Sequence, residues 1–350
     1  MTATVSEEKI IRLAKMLDDS RRVAVVTHTR PDGDAIGSSA AMVHRLSGQG
    51  KDARMVIPNA MPDFLRFVTD ECCPGLLLQY DLEGEECLRW IDGCDLIICL
   101  DANGFDRMED MQPYLEASKA HKLLIDHHIH PQEKFFDLIF SETEISSTCE
   151  LLFWIMLSVE GTGDASALPM PVLRALLTGM TTDTNNFANS VFEDTFTMAS
   201  KMLAAGVDRE GILLELYHRY RENRVRMTGH LLKDKLRILP SGAAYIVVRR
   251  DELEEYDIRE GELEGMVNIP LSLDCVRLSI LLKEDSGFFR VSVRSKRGVS
   301  AFRLAARHFH GGGHEQAAGG RLFFPGDIDT HSQAEAFLDR VTELFFETEK

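Results

Sequence analysis

The stretch His-Thr-Arg-Pro-Asp-Gly-Asp-Ala-Ile-Gly-Ser, residues 28–38, says more about the fold than any other part of the chain. It follows a short apolar run, residues 22–27, and residues 35–47 after it have helical spacing. Pro31 and Gly33 favour a turn between the two. The pattern therefore predicts a buried strand, a tight turn and the N-terminus of a helix.

Three side chains in this turn are suited to binding a cation, namely His28, Asp32 and Asp34. Carboxylates and imidazole are ligands for hard or borderline metal ions, and the amides at a helix start suit a phosphate. The alternative is an aspartate-rich turn that only caps the helix. The turn by itself leaves both interpretations open.

The other apolar runs of the first half favour a parallel sheet. Residues 53–58, 95–102 and 122–128 are continuous apolar segments, as expected of strands covered on both faces. The strongest runs end in acidic or histidine residues: His28, Asp101 and the triplet Asp126-His127-His128. Since sites in such sheets form at the carboxyl ends of the strands, we expect these side chains to meet at one edge. Asp183, which follows a helical segment, is a further acidic candidate.

The pattern of elements predicts an α/β protein with two domains. Helices are expected at residues 146–158, 170–180 and 194–205, and the mostly helical stretch 208–237 could connect two lobes. Strands at 243–249, 276–284 and 288–296 and helices near 301–309 and 331–347 follow. We assign a parallel-sheet domain to residues 1–205, a helical linker to 206–237 and a smaller α/β domain to 238–350.

Composition narrows the classes of function. The net charge of −17 argues against broad capture of long nucleic acid, although a small basic pocket for a phosphorylated substrate remains compatible with it. The seven cysteines include no C-x-x-C pair, which argues against a zinc ribbon. The first 17 residues resemble an amphipathic helix and not a signal peptide, and no stretch reaches the ~18 to 20 apolar residues of a membrane span. A cytoplasmic protein with no membrane partner is expected.

At this point a family resemblance is visible. The segment 28–38, Asp101, the triplet 126–128 and Thr-Thr-Asp-Thr at 181–184 resemble the successive motifs of the DHH phosphoesterase superfamily. The run Gly311-Gly312-Gly313-His314, followed by residues 317–319, resembles the signature of its DHHA1 domain. The resemblance covers nearly the whole chain. Its layout is similar to the NrnA-type branch, whose members degrade very short oligoribonucleotides and dephosphorylate 3′-phosphoadenosine 5′-phosphate.

The resemblance implies a centre with two divalent cations. His28, Asp32 and Asp101 would hold one cation, while Asp34, Asp101, His127 and Asp183 would hold the second, with Asp101 bridging. The four carboxylates balance the charge of two divalent cations. Mixed imidazole and carboxylate ligation fits manganese better than magnesium, and manganese is the usual activator in the family. Two such cations can activate a water and stabilise the attacking and leaving oxygens.

The resemblance also suggests roles for residues outside this set. His128 would contact the phosphate or assist the leaving group, or instead orient a ligand. Arg107 could reach a phosphate or be a solvated surface residue. In Ser146-Ser147-Thr148-Cys149-Glu150 we favour a helix cap at Ser146. Asn185 stands where the family usually has glycine, which leaves the backbone there uncertain.

The C-terminal motif favours substrate binding. Glycines allow a ligand to approach the backbone closely and expose N–H donors. By resemblance, the residues that bind the terminal phosphate or sugar of the substrate are Arg294, Ser295, Gly312, Gly313 and His314.

These expectations lead to ranked hypotheses. The first is a manganese-dependent hydrolase of short oligoribonucleotides that releases 5′-mononucleotides and can also act on 3′-phosphoadenosine 5′-phosphate. The second is a phosphodiesterase for linear or cyclic dinucleotides. A RecJ-type exonuclease would need a basic groove with stacking aromatics, and a regulator with a vestigial site would be expected to have lost ligands. The partner is then a short oligoribonucleotide or nucleotide, and a homodimer is compatible with the family.

Overall fold

The computed structural model describes residues 6–348, which divide into two compact units. The first ends at Arg219 and the second begins at Tyr220. The division falls inside the segment 206–237 that was predicted to be a linker. The domain boundaries stay a prediction.

The first unit is built on one sheet of six parallel strands in the order β3-β2-β1-β4-β5-β6. In chain order the strands are β1 (Arg22–Val26), β2 (Asp52–Ile57), β3 (Leu77–Gln79), β4 (Leu96–Leu100), β5 (His121–Asp126) and β6 (Leu138–Ser141). The chain runs outward from β1 to β3, then returns to place β4 on the other side of β1. A ligand crevice is expected at the carboxyl ends of strands where the order reverses in this way, here between β1 and β4.

Helices cover both faces of this sheet. They are α1 (Glu7–Asp19), α2 (Gly33–Gly48), α3 (Arg66–Cys72), α4 (Tyr80–Asp92), α5 (Gln112–Ala117), α6 (Thr148–Val159), α7 (Met170–Asp183), α8 (Glu193–Ala204) and α9 (Arg209–Tyr217). Alternate residues of each strand enter different cores. In β1, Val23 and Val25 pack in the core that contains α2, α6 and α7, whereas Ala24 and Val26 pack with Trp90 of α4 on the opposite face. This two-sided burial explains why the strands are continuous apolar runs.

The second unit contains a mixed six-stranded sheet in the order β11-β12-β10-β9-β8-β7, in which only β8 and β9 are parallel neighbours. Its strands are β7 (Arg237–Ile238), β8 (Ala243–Val248), β9 (Leu278–Glu284), β10 (Phe288–Ser295), β11 (Gly312–Gly313) and β12 (Ala317–Phe323). Its helices are α10 (Glu222–His230), α11 (Arg250–Glu255), α12 (Ala301–His308) and α13 (Ala334–Thr348). Separate cores lie on the two faces of the sheet, one with α12 and α13 and one with α10.

The predicted α/β class and the order of elements are confirmed. Each strand and helix named from the sequence is present within a few residues, except that 208–237 is not one continuous helix: α9 belongs to the first unit and α10 to the second. Among the strands, the pattern missed β3 and β6, which are short edge strands of the first sheet, and β7, β11 and β12 of the second. Of the predicted N-terminal helix, residues 1–5 lie outside the described residues. Between residues 6 and 348 no helix is long and apolar enough to cross a membrane.

Candidate metal centre

The turn between β1 and α2 places Asp32 where it caps the helix and could also serve as a cation ligand. Asp32 is the N-cap of α2, and its Oδ1 accepts hydrogen bonds from the backbone N–H groups of Asp34 (3.0 Å) and Ala35 (3.1 Å). The same carboxylate lies 4.0 Å from Nε2 of the buried His28. Capping the helix therefore holds Asp32 beside His28, so a helix cap and a cation ligand are compatible roles here.

Asp101 lies at the centre of the site, directly after β4. The residue is 2% exposed, and its φ of 55° places the backbone in the left-handed region, where non-glycine residues are uncommon. Oδ2 of Asp101 lies 3.5 Å from Nε2 of His28, and Oδ1 lies 3.6 Å from Nε2 of His127. Asp101 thus has one carboxylate oxygen directed to each of two histidines that come from different strands.

The residues of the triplet at the end of β5 have different contacts. His127 Nε2 lies 3.7 Å from Oδ2 of Asp183, the last residue of α7. Asp126 is fully buried and accepts two hydrogen bonds from His128, from its backbone N–H (3.1 Å) and from its ring Nδ1 (2.8 Å). Asp126 therefore orients His128, a partner that the sequence analysis did not assign.

The N-terminus of α6 is the part of the site that sequence reasoning missed. The backbone N–H groups of Thr148 and Cys149 donate to the two carboxylate oxygens of Asp34, at 2.7 and 2.9 Å. The hydroxyl of Thr148 donates to Asp101 Oδ1 at 3.1 Å. Unpaired amides and the helix dipole favour a negative charge at this end of a helix. The small polar run before α6 was the signal that could have revealed the contact.

The predicted cap at Ser146 is wrong by one residue. Ser147 is the N-cap of α6, and its hydroxyl accepts from the N–H of Glu150 at 3.0 Å. The hydroxyl of Ser146 instead donates to the carboxylate of Glu150. Both serines are small and polar, so composition alone did not distinguish the cap from the residue before it.

The fold gathers all six proposed ligands into two adjacent groups. One consists of His28, Asp32 and Asp101, and the other of Asp34, His127 and Asp183, with the candidate ligand atoms of each group within 4.8 Å of one another. The six residues come from the ends of three strands, the start of α2 and the end of α7.

The electrostatics of the centre favour bound cations. Burial, and then the charges of Asp34 and Asp32, raise the pKa of Asp101 well above its usual range. Burial, and then Asp183, raise the pKa of Asp34 to about 6. Such shifts mean that clustered carboxylates repel one another, a repulsion that divalent cations would relieve. Burial lowers the pKa of His28 to about 4 and also lowers that of His127, so both rings are neutral near pH 7, which is the form of imidazole that can bind a cation.

Arg107 lies close to the site. It belongs to a short 3₁₀ segment after β4, and its carbonyl accepts a hydrogen bond from the N–H of Thr29 at 2.8 Å. Its positive charge contributes to lowering the pKa of His28. Arg107 is half-buried, which differs from the solvated surface residue that was the alternative.

In the second unit, the glycine run serves close strand packing. Gly312 and Gly313 form β11 and pair with Gly319 and Ala318 of β12. Gly313 has a φ of 135°, and a Cβ at this position would lie 2.6 Å from the carbonyl oxygen of Ala317. The next residue, His314, donates its backbone N–H to the same carbonyl at 2.7 Å. The backbone here requires glycine whether or not a ligand binds.

Arg294 and Ser295 lie at the end of β10. The guanidinium of Arg294 donates to the carbonyl of Val293 at 3.0 Å, and the buried hydroxyl of Ser295 donates to the carbonyl of Val299 at 2.6 Å. The Ser295 hydroxyl thus stabilises the turn after β10. Substrate binding by these residues stays a prediction.

The fold and the centre together define a phosphoesterase of the DHH class. Residues 22–180 match the family model described as the DHH family, N-terminal domain, and residues 242–346 match the DHHA1 domain. The chain belongs to the DHH family and carries a DHHA1 domain, which confirms the resemblance drawn from the motifs.

Several named proteins are similar to this chain over most of its length. The bifunctional oligoribonuclease and PAP phosphatase NrnA of Bacillus subtilis is 25% identical over 316 residues, which is 90% of this chain and 93% of that protein. The cyclic-di-AMP phosphodiesterase GdpP of Geobacillus thermodenitrificans is 25% identical over 96% of this chain but only 49% of its own length. A crystal structure of an exopolyphosphatase-related protein from Bacteroides fragilis is 33% identical with a TM-score of 0.89, covering 100% of this chain and 99% of that one.

Proposed function

We propose that this protein is a hydrolase of short oligoribonucleotides that uses two divalent cations and releases 5′-mononucleotides, with a second activity on 3′-phosphoadenosine 5′-phosphate. The observation that carries the proposal is the position of Asp101, whose two oxygens lie between His28 on one side and His127 on the other. The NrnA relative, matched over nearly its full length, supports the choice of substrate.

The donor set fits two cations. His28, Asp32 and Asp101 would hold one and Asp34, Asp101, His127 and Asp183 the other, and we infer manganese because imidazole and carboxylate ligands are mixed. Bound cations supply Lewis acidity and lower the pKa of water for attack on phosphorus. The α6 amides and the Thr148 hydroxyl keep Asp34 and Asp101 in place when a substrate enters.

His128 is the candidate for moving a proton. Its Nδ1 donates to Asp126, so Nε2 is the nitrogen that can take up or release a proton. We propose that His128 Nε2 delivers this proton to the leaving oxygen of the ribose, and that the Arg107 guanidinium attracts the phosphate. Arg294, Ser295, Gly312, Gly313 and His314 are proposed to bind the substrate end from the DHHA1 domain.

The test is a turnover panel with manganese. It compares 5′-phosphorylated RNA from dinucleotides to oligomers of about ten nucleotides with 3′-phosphoadenosine 5′-phosphate and with linear and cyclic diadenylate. The D101N variant, purified in parallel, controls for contaminating nucleases. We expect the shortest RNAs to be turned over fastest. Cleavage of only the longest RNAs in the panel, with none of the dinucleotides or other short RNAs turned over, would contradict the proposal.

A second candidate is hydrolysis of linear or cyclic dinucleotides. It is favoured by the match of the GdpP relative to 96% of this chain. Faster turnover of cyclic diadenylate than of any linear RNA in the same panel would select this function over the first.

A further inference from the structure

The turn that follows Asp183 has an unusual backbone. Asn185, Asn186 and Phe187 have φ values of 47°, 56° and 68°, so three successive non-glycine residues are left-handed. Asparagine tolerates this conformation, but a phenylalanine adopts it at a cost. The turn is fixed by hydrogen bonds from Asn186 N–H to the Thr181 carbonyl (2.7 Å) and from Phe187 N–H to the Thr184 hydroxyl (3.0 Å). Strain of this kind, held by its surroundings, is found at ligand-binding sites.

The strained turn places Phe187 in an aromatic stack. Its ring lies 5.5 Å from that of Phe196 in α8, with 18° between the ring planes. The Arg209 guanidinium lies 5.6 Å from the Phe187 ring centre, within the range of a cation–π contact. Phe187 is half-buried against the core, whereas Phe196 is 54% exposed. Phe187, Phe196 and Arg209 form what we term the aromatic platform.

The aromatic platform is tied to the candidate metal centre. The hydroxyl of Thr195, next to Phe196, donates to the buried carboxylate of Glu150 in α6 at 2.8 Å. The N-terminus of that same helix holds Asp34. Phe187 is four positions after Asp183 in the chain, so their Cα atoms can be at most about 14 Å apart. The platform therefore has a fixed position within a short distance of the metal ligands.

We propose that the aromatic platform binds a base of the oligonucleotide by stacking on Phe196, at a nucleotide close to the one that is cut. This inference rests on the proposed function and deepens it. A nucleobase fits because every base offers a flat π-face, whatever its identity, and because Arg209 adds a positive charge beside the rings.

The test compares two 5′-phosphorylated substrates of equal charge, a triadenylate and the same backbone without bases. In F196A we expect KM for the triadenylate to rise about 5- to 100-fold, with KM for the backbone without bases unchanged. The matched control is L203A, which removes a 50% exposed apolar side chain two turns later on α8 and should change neither KM. An equal effect of F196A on both substrates, or no effect, overturns the proposal.

A measurement that does not depend on turnover separates this proposal from the proposed function. In F196W, with wild type subtracted, triadenylate should quench the added tryptophan fluorescence and the backbone without bases should not. Quenching without RNA hydrolysis would support base binding at the aromatic platform and contradict the proposed hydrolase function. Hydrolysis with neither quenching nor a KM effect would reject the platform alone. If F196A and L203A both dissociate an oligomer in sedimentation, the surface binds a second copy and the proposal is also overturned.

Discussion

At the residue scale, the surroundings of Asp101 favour its protonated form, whereas its proposed role requires the ionised form. It is buried beside other carboxylates, which raises its pKa, yet the proposed chemistry needs it ionised between two cations. In the absence of cations the ionised form of Asp101 opposes folding, because burial and the charges of Asp34 and Asp32 make it costly. Asp101 should therefore support turnover but, without cations, lower the free energy of unfolding.

The first prediction follows from this conflict. D101N should reduce turnover by more than about a hundredfold, since loss of groups that merely support ligands already costs 10- to 100-fold. Without metal, D101N should be more stable than wild type, because the repulsion from Asp34 and Asp32 is lost. Turnover and chemical denaturation, each with and without manganese, measure both effects. D106N, an exposed aspartate five residues later, is the control and should match wild type. Near-normal turnover of D101N would contradict the assignment.

At the scale of elements, the site depends on close packing of α2, α6 and α7. Asp34 is in the first turn of α2, and the amides that hold it belong to α6. A Cβ on Gly37 would lie 2.5 Å from the carbonyl oxygen of Ala175 in α7, and one on Gly179 would lie 2.3 Å from the sulfur of Cys149. The glycines allow the helices to approach closely enough for the amides to reach Asp34.

The second prediction tests whether stability depends on this close packing of the helices. G37A should destabilise the protein by about 1–3 kcal/mol because the added methyl overpacks the helix contact. G48A, at the end of the same helix, places its methyl where no atom beyond the adjacent residues and backbone of that helix lies within 4 Å, and should be neutral or slightly stabilising. Denaturant unfolding of the two variants gives the comparison. A G37A protein as stable as G48A would show that the helices can separate freely.

A third prediction concerns the contact between α10 and α11. Hydrogen bonds to Glu252 and then to Asp234 raise the pKa of His230, whose ring also stacks on Tyr256. Lys235 lies 2.8 Å from the same Glu252 carboxylate and competes for it. A histidine pKa that is higher in the folded than in the unfolded state stabilises the fold below about pH 6.5, and this contribution disappears as the pH rises through the folded pKa.

H230Q should therefore be less stable than wild type at pH 6, and the difference should shrink at alkaline pH. Circular dichroism during denaturant unfolding at several pH values measures the gap. H218Q, which alters an exposed histidine at the end of α9, should show no such trend. A stability gap that stays constant between pH 6 and 9 would exclude the charged form of His230 as its cause.

At the scale of the whole molecule, all of the candidate metal ligands lie in the first unit. Both tryptophans of the chain, Trp90 and Trp154, lie there as well. Tryptophan fluorescence therefore reports on the unit that would bind the cations. This distribution allows metal binding to be followed separately from events in the DHHA1 domain.

The fourth prediction uses this property. Manganese at 100 times its dissociation constant should stabilise the fluorescence-detected transition by about 2.7 kcal/mol per site, because it binds only the folded state. The fluorescence midpoint in urea, with and without metal, is the measurement. The same shift in D101N would mean that manganese binds elsewhere.

The sequence by itself determined much of this protein. Continuous apolar runs that alternate with segments of helical spacing indicated the α/β class, because burial on both faces of a parallel sheet leaves a local signature in each strand. The candidate ligands were recognisable from short motifs because each lies at a strand or helix end. The sequence left the backbone at Asn185 open, and the structure gives this residue a left-handed φ of 47°, which asparagine tolerates.

Only the tertiary structure decided which residues from separate elements come into contact. The order β3-β2-β1-β4-β5-β6 brings β1 beside β4, which sets Asp101 between His28 and His127. The amides of α6 that hold Asp34 and the ring stack of Phe187 with Phe196 were likewise absent from any local pattern. These contacts join residues from separate elements, and backbone N–H groups are the same in every sequence. Their partners therefore depend on packing, and packing is a property of the whole folded chain.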